Sequence, residues 1–199
     1  MKNIAVLVLA AGKSSRMKAI KQLVKINGKT LLDITLEKAK SVFPNDVFCV
    51  LGGNSDKIKN EITTKNITFI NNAGFKRGLS SSIVTGIEFL KKNNFNYNVI
   101  FILLADQPCI EIEYLKSMVR LYKESPSKIV ASNYKTKYGV PAIFPEKFFS
   151  ELLLIEEDKG AKELMNNKNN DVICSEFKTN LIDIDTEEDL ILFKKSISK

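Results

Sequence analysis

Four short stretches carry residue types that could do chemistry. The first is Leu9-Ala10-Ala11-Gly12-Lys13-Ser14-Ser15-Arg16-Met17, continuing to Lys21-Gln22-Leu23. Small residues let a backbone approach a ligand closely, and turn N–H groups backed by basic side chains can face an anion. Phosphate binding fits this stretch; an ordinary strand-to-helix loop with solvated lysines is the plainer alternative. Its spacing is neither that of a P-loop nor Gly-x-Gly-x-x-Gly. The second is Gly78-Leu79-Ser80-Ser81-Ser82-Ile83. Its hydroxyls and free N–H groups can meet a base edge or an anion, or simply cap a helix. The third is Asp106, directly after an apolar run; a carboxylate facing phosphates needs a divalent cation between them. A turn aspartate before Pro108 is the plainer alternative. The fourth is Asp183-Ile184-Asp185-Thr186-Glu187-Glu188-Asp189, which alternates like a strand and then starts a helix. Period two puts Asp183 and Asp185 on one face, where either could join Asp106 at a metal, or Asp185 could cap the helix.

Composition narrows the chemistry. The 199 residues include no histidine, so Ser-His and Cys-His nucleophiles and histidine metal sites are excluded. A metal would be held by oxygen, which favours Mg²⁺ or Mn²⁺. Cys49, Cys109 and Cys174 are scattered, which suggests free thiols in a reducing cytoplasm. Cys49 and Cys174 lie in apolar runs and are expected in the core. The net charge of +7 comes from 27 lysines and three arginines spread over many segments without aromatic interleaving, so no nucleic-acid partner is expected. Arg16 and Arg77 both fall in glycine-containing loops after predicted strands, where arginine's planar fork suits phosphate. No apolar run reaches the roughly 18–20 residues of a membrane span, and the N-terminus reads as a strand and not as a signal peptide.

The elements that must position these residues alternate. Apolar runs predict strands at 4–9, 47–51, 67–70 and 99–104, the last apolar throughout and therefore central. Helical patterns are expected at 31–42 with Thr30 as cap, 56–63, 80–92 and 111–124. Beyond them the pattern predicts strands at 129–132, 140–144, 172–177 and 181–184. Helices are expected from Pro145 to about Ile155, over 159–166, and after a Thr186 cap. Alternation of this kind implies a mostly parallel α/β sheet covered on both faces, with ligands at the carboxyl ends of the strands. The length fits one domain, 1–199, with residues 132–182 as a small substrate-side lobe.

Taken together, the motifs resemble the MobA-like nucleotidyltransferases. Residues Leu9–Leu23 are similar to their Leu-Ala-Ala-Gly…Ser-x-Arg-Met-Gly-x-x-Lys-x-Leu signature, Gly78–Ile83 to Gly-Leu-Ser-x-Ser, and Leu104–Pro108 to Leu-x-Asp-x-Pro. Gly139-Val140-Pro141 with Phe144 resembles Gly-x-Pro-x-x-Phe. Asp158-Lys159-Gly160-Ala161-Lys162 resembles Gly-Asp-x-Gly-Ala-Arg, and Asp183–Asp189 resembles Asp-Ile-Asp-Thr-x-Glu-Asp. The branch that looks most similar is the molybdenum-cofactor cytidylyltransferases.

The resemblance implies a Rossmann-like three-layer α/β/α fold of the nucleotide-diphospho-sugar transferase type. It implies transfer of CMP from CTP to a phosphate-bearing acceptor, molybdopterin or molybdenum cofactor, with Mg²⁺ (or Mn²⁺) and release of pyrophosphate. A molybdoenzyme or its chaperone is the implied protein partner. Arg16, Lys21 and Asp106 are the implied catalytic residues. Leu9, Ala10, Ala11, Gly12, Lys13, Ser14, Gly78, Ser80 and Ser82 join them around the nucleotide. Asp106 and Asp185 are implied at the metal, with Gly139, Pro141, Lys159 and Lys162 on the acceptor side. Ala11 is typical of the CTP-using branch. Three positions depart from the family pattern: Lys18 replaces a glycine, Val140 stands where histidine is frequent, and Lys162 replaces arginine. Rival readings are the same fold acting on methylerythritol phosphate or a sugar phosphate, guanylyl transfer, and a non-catalytic nucleotide- or cofactor-binding accessory protein.

Overall fold

The computed structural model of the chain describes residues 3–12, 17, 19–156 and 160–197, the side chains of 196 and 197 excepted. In chain order the elements are β1 (Ile4–Ala10), β2 (Lys25–Ile26), β3 (Lys29–Thr30), α1 (Leu31–Val42), β4 (Val47–Leu51), α2 (Ser55–Glu61), β5 (Thr68–Asn71), α3 (Leu79–Lys92) and β6 (Val99–Leu104). They continue as α4 (Ile112–Glu124), β7 (Ile129–Asn133), β8 (Tyr138–Pro145), α5 (Phe149–Leu153), α6 (Lys162–Asn166), β9 (Val172–Ile173) and α7 (Glu187–Ile197).

Seven strands form one sheet in the order β5-β4-β1-β6-β8-β7-β9. Strand β1 pairs in parallel with β4 and β6, and β4 with β5. Only β8 runs against its neighbours β6 and β7. The apolar run of β6 lies mid-sheet, as its composition predicts, because a strand covered on both faces can bury every side chain. Alternation along β1 splits the core. Val6 and Val8 point to one face with Leu32, Leu36, Phe101, Met118 and Tyr122. Leu7 and Leu9 point to the other with Ile83, Ile87, Ile100, Phe144 and Leu152. Helices α1 and α4 therefore cover one face and α3 and α5 the other, giving three layers. Complete burial of each such Leu, Ile or Phe contributes roughly 1.5–3 kcal/mol.

Local signals fix the helix starts. Thr30 caps α1 by accepting from the Asp33 N–H at 2.9 Å. At α7, Asp189 Oδ2 accepts from the Asp185 and Thr186 N–H groups, while Thr186 Oγ1 accepts from the Asp189 N–H. This is a reciprocal capping arrangement made by Thr186 and Asp189, so Asp185 is not the cap.

The C-terminal third departs from expectation. Residues 181–184 alternate but form no strand. A strand needs a partner edge along its length, and here, among the described residues, only the Ile184 N–H finds backbone, at Asp106 O, 2.9 Å away. Pro145 precedes a helical stretch as expected, but that stretch starts as a 3-10 turn and ends at Leu153. The proline itself is the last residue of β8, paired with Val99, and the 3-10 turn at Glu146–Phe148 precedes the short α5. Of the expected strand at 172–177 only Val172–Ile173 is paired, against β7. The expected helix at 159–166 is seen over Lys162–Asn166. A small hairpin, β2–β3, was not foreseen because two-residue strands carry no readable period. Cys49 is fully buried, whereas Cys174 is only half-buried.

Candidate active site

The carboxyl ends of β1 and β6 lie side by side, Leu9 level with Leu104. The chain leaves both strands there, so the first and third sequence motifs are delivered to one sheet edge. The Ala105 N–H donates to Leu9 O at 3.1 Å and ties the two exits together. Buried Gln22 then donates from Nε2 to Ala10 O (2.7 Å) and Gly12 O (3.1 Å), which ties it to the end of β1.

This brings Lys21 between two carboxylates. Its Nζ donates to Asp106 Oδ2 at 2.7 Å and to Asp185 Oδ1 at 2.6 Å. The two acids are 79 residues apart in sequence. Burial pulls the Lys21 ammonium towards neutrality, but the charges and hydrogen bonds of Asp106 and Asp185 outweigh it and raise its pKa above the ordinary lysine value. The lysine therefore carries a full positive charge at neutral pH.

Asp183 does not share a strand face with Asp185. It accepts instead from Gln107 Nε2 at 2.7 Å, and the same amide donates to Tyr134 Oη, also at 2.7 Å. Tyr134 passes its proton to Val140 O at 2.6 Å. The Asp183 carboxylate is packed against this network although the residue keeps surface exposure. Desolvation first, and then the negative charge of Asp106, raises its pKa above the ordinary carboxylate value.

A cleft of about 650 Å³ opens over this edge. One end is charged, with Lys21, Asp106 and Asp185. The rest is lined by Leu9, Ala10, Ala11 and Gly12 on one wall and Phe75–Leu79 with Ser82 on the other. Phe75 sits against Gly52, where an added Cβ would lie 2.8 Å from the ring. Gly78 begins α3 with φ +91°, a conformation that favours glycine. Lys76 and Arg77 bring further positive charge to that wall.

The structure thus gathers Leu9, Ala10, Ala11, Gly12, Lys21, Gly78, Ser82, Asp106 and Asp185 around one cleft. Ser80 faces elsewhere. Its hydroxyl donates to Glu156 O and accepts from the Gly160 N–H, bracing the chain that follows α5. Gly139 and Pro141 are buried in β8 beside the Tyr134–Val140 link, and Lys162 is exposed on α6. Lys13, Ser14, Arg16, Lys18 and Lys159 lie outside the described residues. Sequence reasoning missed Gln22, Asn72 and Phe75. Gln22 sat inside the quoted motif, and a polar side chain next to a buried Leu was the available signal. Asn72 and Phe75 lay in a loop read only as a connection.

Asp106 Oδ1 is buried and has no hydrogen-bond partner among the described residues, while Oδ2 and Asp185 Oδ1 already hold a cation, the ammonium of Lys21. Oxygen donors of this kind fit Mg²⁺ or Mn²⁺. Among the described residues no group of three or more carboxylates and thiols is gathered as a metal cage. Two carboxylates with an open side suit a cation shared with bound phosphates.

Comparison with known proteins places this geometry. The bifunctional protein GlmU of Buchnera aphidicola is 28% identical over 164 residues, covering 81% of this chain and 34% of that protein. The chain thus spans about a third of the length of the curated relatives it matches. Among solved structures, the Rv0371c homolog from a Mycobacterium species superposes with TM-score 0.82 at 24% identity, covering 98% of this chain and 96% of that one. Rv0371c of Mycobacterium tuberculosis in complex with manganese gives 0.77 at 22%, covering 98% of both chains. A cytidylyltransferase from Leptospira borgpetersenii gives 0.76 at 20%, covering all of this chain and 87% of that one. At these identities the solved structures speak for the fold. The family model for the MobA-like NTP transferase domain matches residues 6–172, the span that builds both walls of the cleft, and by that match the chain belongs to the MobA-like NTP transferase domain family.

Proposed function

We propose that this protein transfers CMP from CTP to a phosphate-bearing acceptor of the molybdopterin type and releases pyrophosphate. The observation that carries the reading is the clasp of Lys21 by Asp106 and Asp185 at the charged end of a cleft walled by the small residues Ala10–Gly12 on one side and by Phe75–Leu79 with Ser82 on the other. An oxygen of the acceptor phosphate forms a bond to the α-phosphorus of CTP, the bond from that phosphorus to the bridging oxygen breaks, and the electron pair leaves with pyrophosphate. A phosphate nucleophile is already ionised, so a chain without histidine lacks nothing for the step.

Catalysis then rests on position and charge. Ala10, Ala11 and Gly12 bring backbone close to the nucleotide. Lys21, and Arg16 by resemblance, bind the triphosphate and stabilise the leaving pyrophosphate. Asp106 and Asp185 would hold Mg²⁺ or Mn²⁺, which offsets phosphate charge when bound. When phosphates enter, the Lys21 ammonium turns from the carboxylates to the phosphate oxygens. Ala11, typical of the CTP-using branch, supports CTP. Gly139, Pro141, Lys159 and Lys162, within a lobe of about 132–182, are proposed on the acceptor side. Free thiols support a cytoplasmic location, and a molybdoenzyme or its chaperone is the proposed recipient of product. Among the described residues no helix is long and apolar enough to cross a membrane.

The test is pyrophosphate release with Mg²⁺, each NTP in turn and a molybdopterin-type acceptor. CTP-dependent release with that acceptor is expected. Release only with methylerythritol phosphate or a sugar phosphate would overturn the acceptor assignment, and release with GTP alone would overturn the nucleotide.

A further inference from the structure

Behind the serine wall of the cleft lies Asn72, 1% exposed, in the turn after β5. Its Nδ2 is 2.9 Å from Ser81 Oγ and 3.1 Å from Ser82 Oγ. The direction of these bonds follows from chemistry. Ser81 gives its only proton to Gly78 O at 2.7 Å, since a carbonyl can only accept. Ser81 must therefore receive from Asn72, which fixes the amide with its NH₂ towards the serines. The same NH₂ reaches Ser82, so Ser82 must also receive. Ser82 is 3% exposed, lines the cleft, and has no acceptor for its own proton among the described residues. A buried hydroxyl in this state has a proton to satisfy, and the cleft that Ser82 lines is where an acceptor can meet it.

We propose that Asn72 sets the nucleobase preference of the cleft by donating to the Ser82 hydroxyl from behind, which leaves the hydroxyl proton to pair with the N3 acceptor of cytosine. The inference rests on the reading of the cleft as a CTP site. Cytosine and uracil share the O2 acceptor and differ at N3, which accepts in cytosine and carries a proton in uracil. Opposite N3 of cytosine the Ser82 proton finds its acceptor. Opposite the N3–H of uracil the hydroxyl must turn its second lone pair to the base and leave its own proton unpaired, and a buried polar group left unpaired costs binding about tenfold or more. The polarity is inherited from a carbonyl three hydrogen bonds away, so neither the serine nor the asparagine alone reveals it. Asn72 is a positioning residue here, because it acts on the base only through Ser82.

The test is calorimetric binding of CTP and UTP with Mg²⁺, without acceptor, to the wild-type chain and to Asn72→Asp and Asn72→Ala. An ionised aspartate can only accept, so Ser82 turns its proton inward and presents lone pairs to the cleft. Asn72→Asp is expected to lower the CTP-to-UTP affinity ratio about tenfold or more, and Asn72→Ala, which frees the hydroxyl to rotate, to lower it by less. Thermal unfolding of each variant checks its fold. Should Asn72→Asp not fold, the ratio in Asn72→Ala decides. A purely structural role would weaken both nucleotides equally. An unchanged ratio in the folded variants, or a wild type that binds CTP and UTP equally, overturns the inference while leaving nucleotidyl transfer standing. A wild type that binds neither triphosphate overturns the CTP reading and the inference with it.

Discussion

At the amino ends of β4 and β6, Phe48 packs edge-on against Phe89, Phe95 and Tyr97, with ring centroids 6.4, 5.3 and 5.7 Å away. The one polar group in this cluster, the Tyr97 hydroxyl, donates to Asp46 at 2.8 Å. At the carboxyl end of the same β6, two carboxylates clasp one lysine, a third acid binds Gln107, and Asp106 Oδ1 and Gln107 Oε1 are buried without partners among the described residues. The first end is built chiefly for stability by edge-to-face rings and a satisfied hydroxyl, although Asn98 Oδ1 beside them is also buried without a partner among the described residues. The second keeps polar atoms unsatisfied, which costs stability unless a ligand completes them. One strand thus joins a region built to hold the fold to a region built to bind.

The comparison predicts that substitutions at the two ends separate rate from stability. Asp106→Ala has the largest effect on rate, a fall in kcat of about 10³-fold in a pyrophosphate assay. Its unfolding midpoint should drop by no more than a few degrees, roughly 1 kcal/mol, because one of its oxygens has no partner to lose. Phe48→Ala should do the reverse, costing about 3–5 kcal/mol in denaturant unfolding with KM for CTP unchanged. A Phe48 variant that loses nucleotide affinity at full stability would break the contrast. Lys21→Ala should reduce kcat/KM about 10²-fold. An unchanged kcat/KM would exclude Lys21 from the site.

Two smaller effects sharpen the picture. Asp189→Ala removes the acceptor for the Asp185 and Thr186 N–H groups and should cost about 1 kcal/mol. Because it also loosens the segment carrying Asp185, KM for the divalent cation should rise in the same variant. Asp33 gives a pH signature outside the site. Burial alone would raise its pKa, but hydrogen bonds from Thr64, Thr30 and Thr63 hold it below the ordinary value of 3.8. Its contribution to stability is present above 3.8 and is lost as pH falls through the lower native value. Asp33→Asn should flatten the acid limb of a stability–pH curve below about pH 4 and leave catalysis untouched.

The legible parts of the sequence were those where one physical cause dominates. The runs at 4–9 and 99–104 are apolar throughout, and only a covered central strand accommodates that, so β1, β6 and the edge where Gly12 and Asp106 meet could be read directly. Thr30 and Thr186 were legible because caps are local. Residues 181–184 were not, because alternation says which side chains share a face but not whether a neighbouring strand exists. Asp183 and Asp185 diverge for that reason: their chain is held by one backbone bond to Asp106 O and by side chains. Asp106 was foreseen as a carboxylate near phosphate, but its lysine partner was not, since an ion pair spanning 85 residues leaves no local pattern. Ser80 and Ser82 look alike in sequence, and only the packing of residues 156 and 160 against the first separates them.

The central claim is that Asp106, Asp185 and Lys21 form a nucleotidyl-transfer centre. Its most direct test is a single-turnover measurement of pyrophosphate from CTP with Mg²⁺ and a molybdopterin-type acceptor, wild type against Asp106→Ala. Stoichiometric pyrophosphate from the wild type and none from a folded Asp106→Ala on the same timescale is the predicted result. Equal release by both proteins would contradict the account.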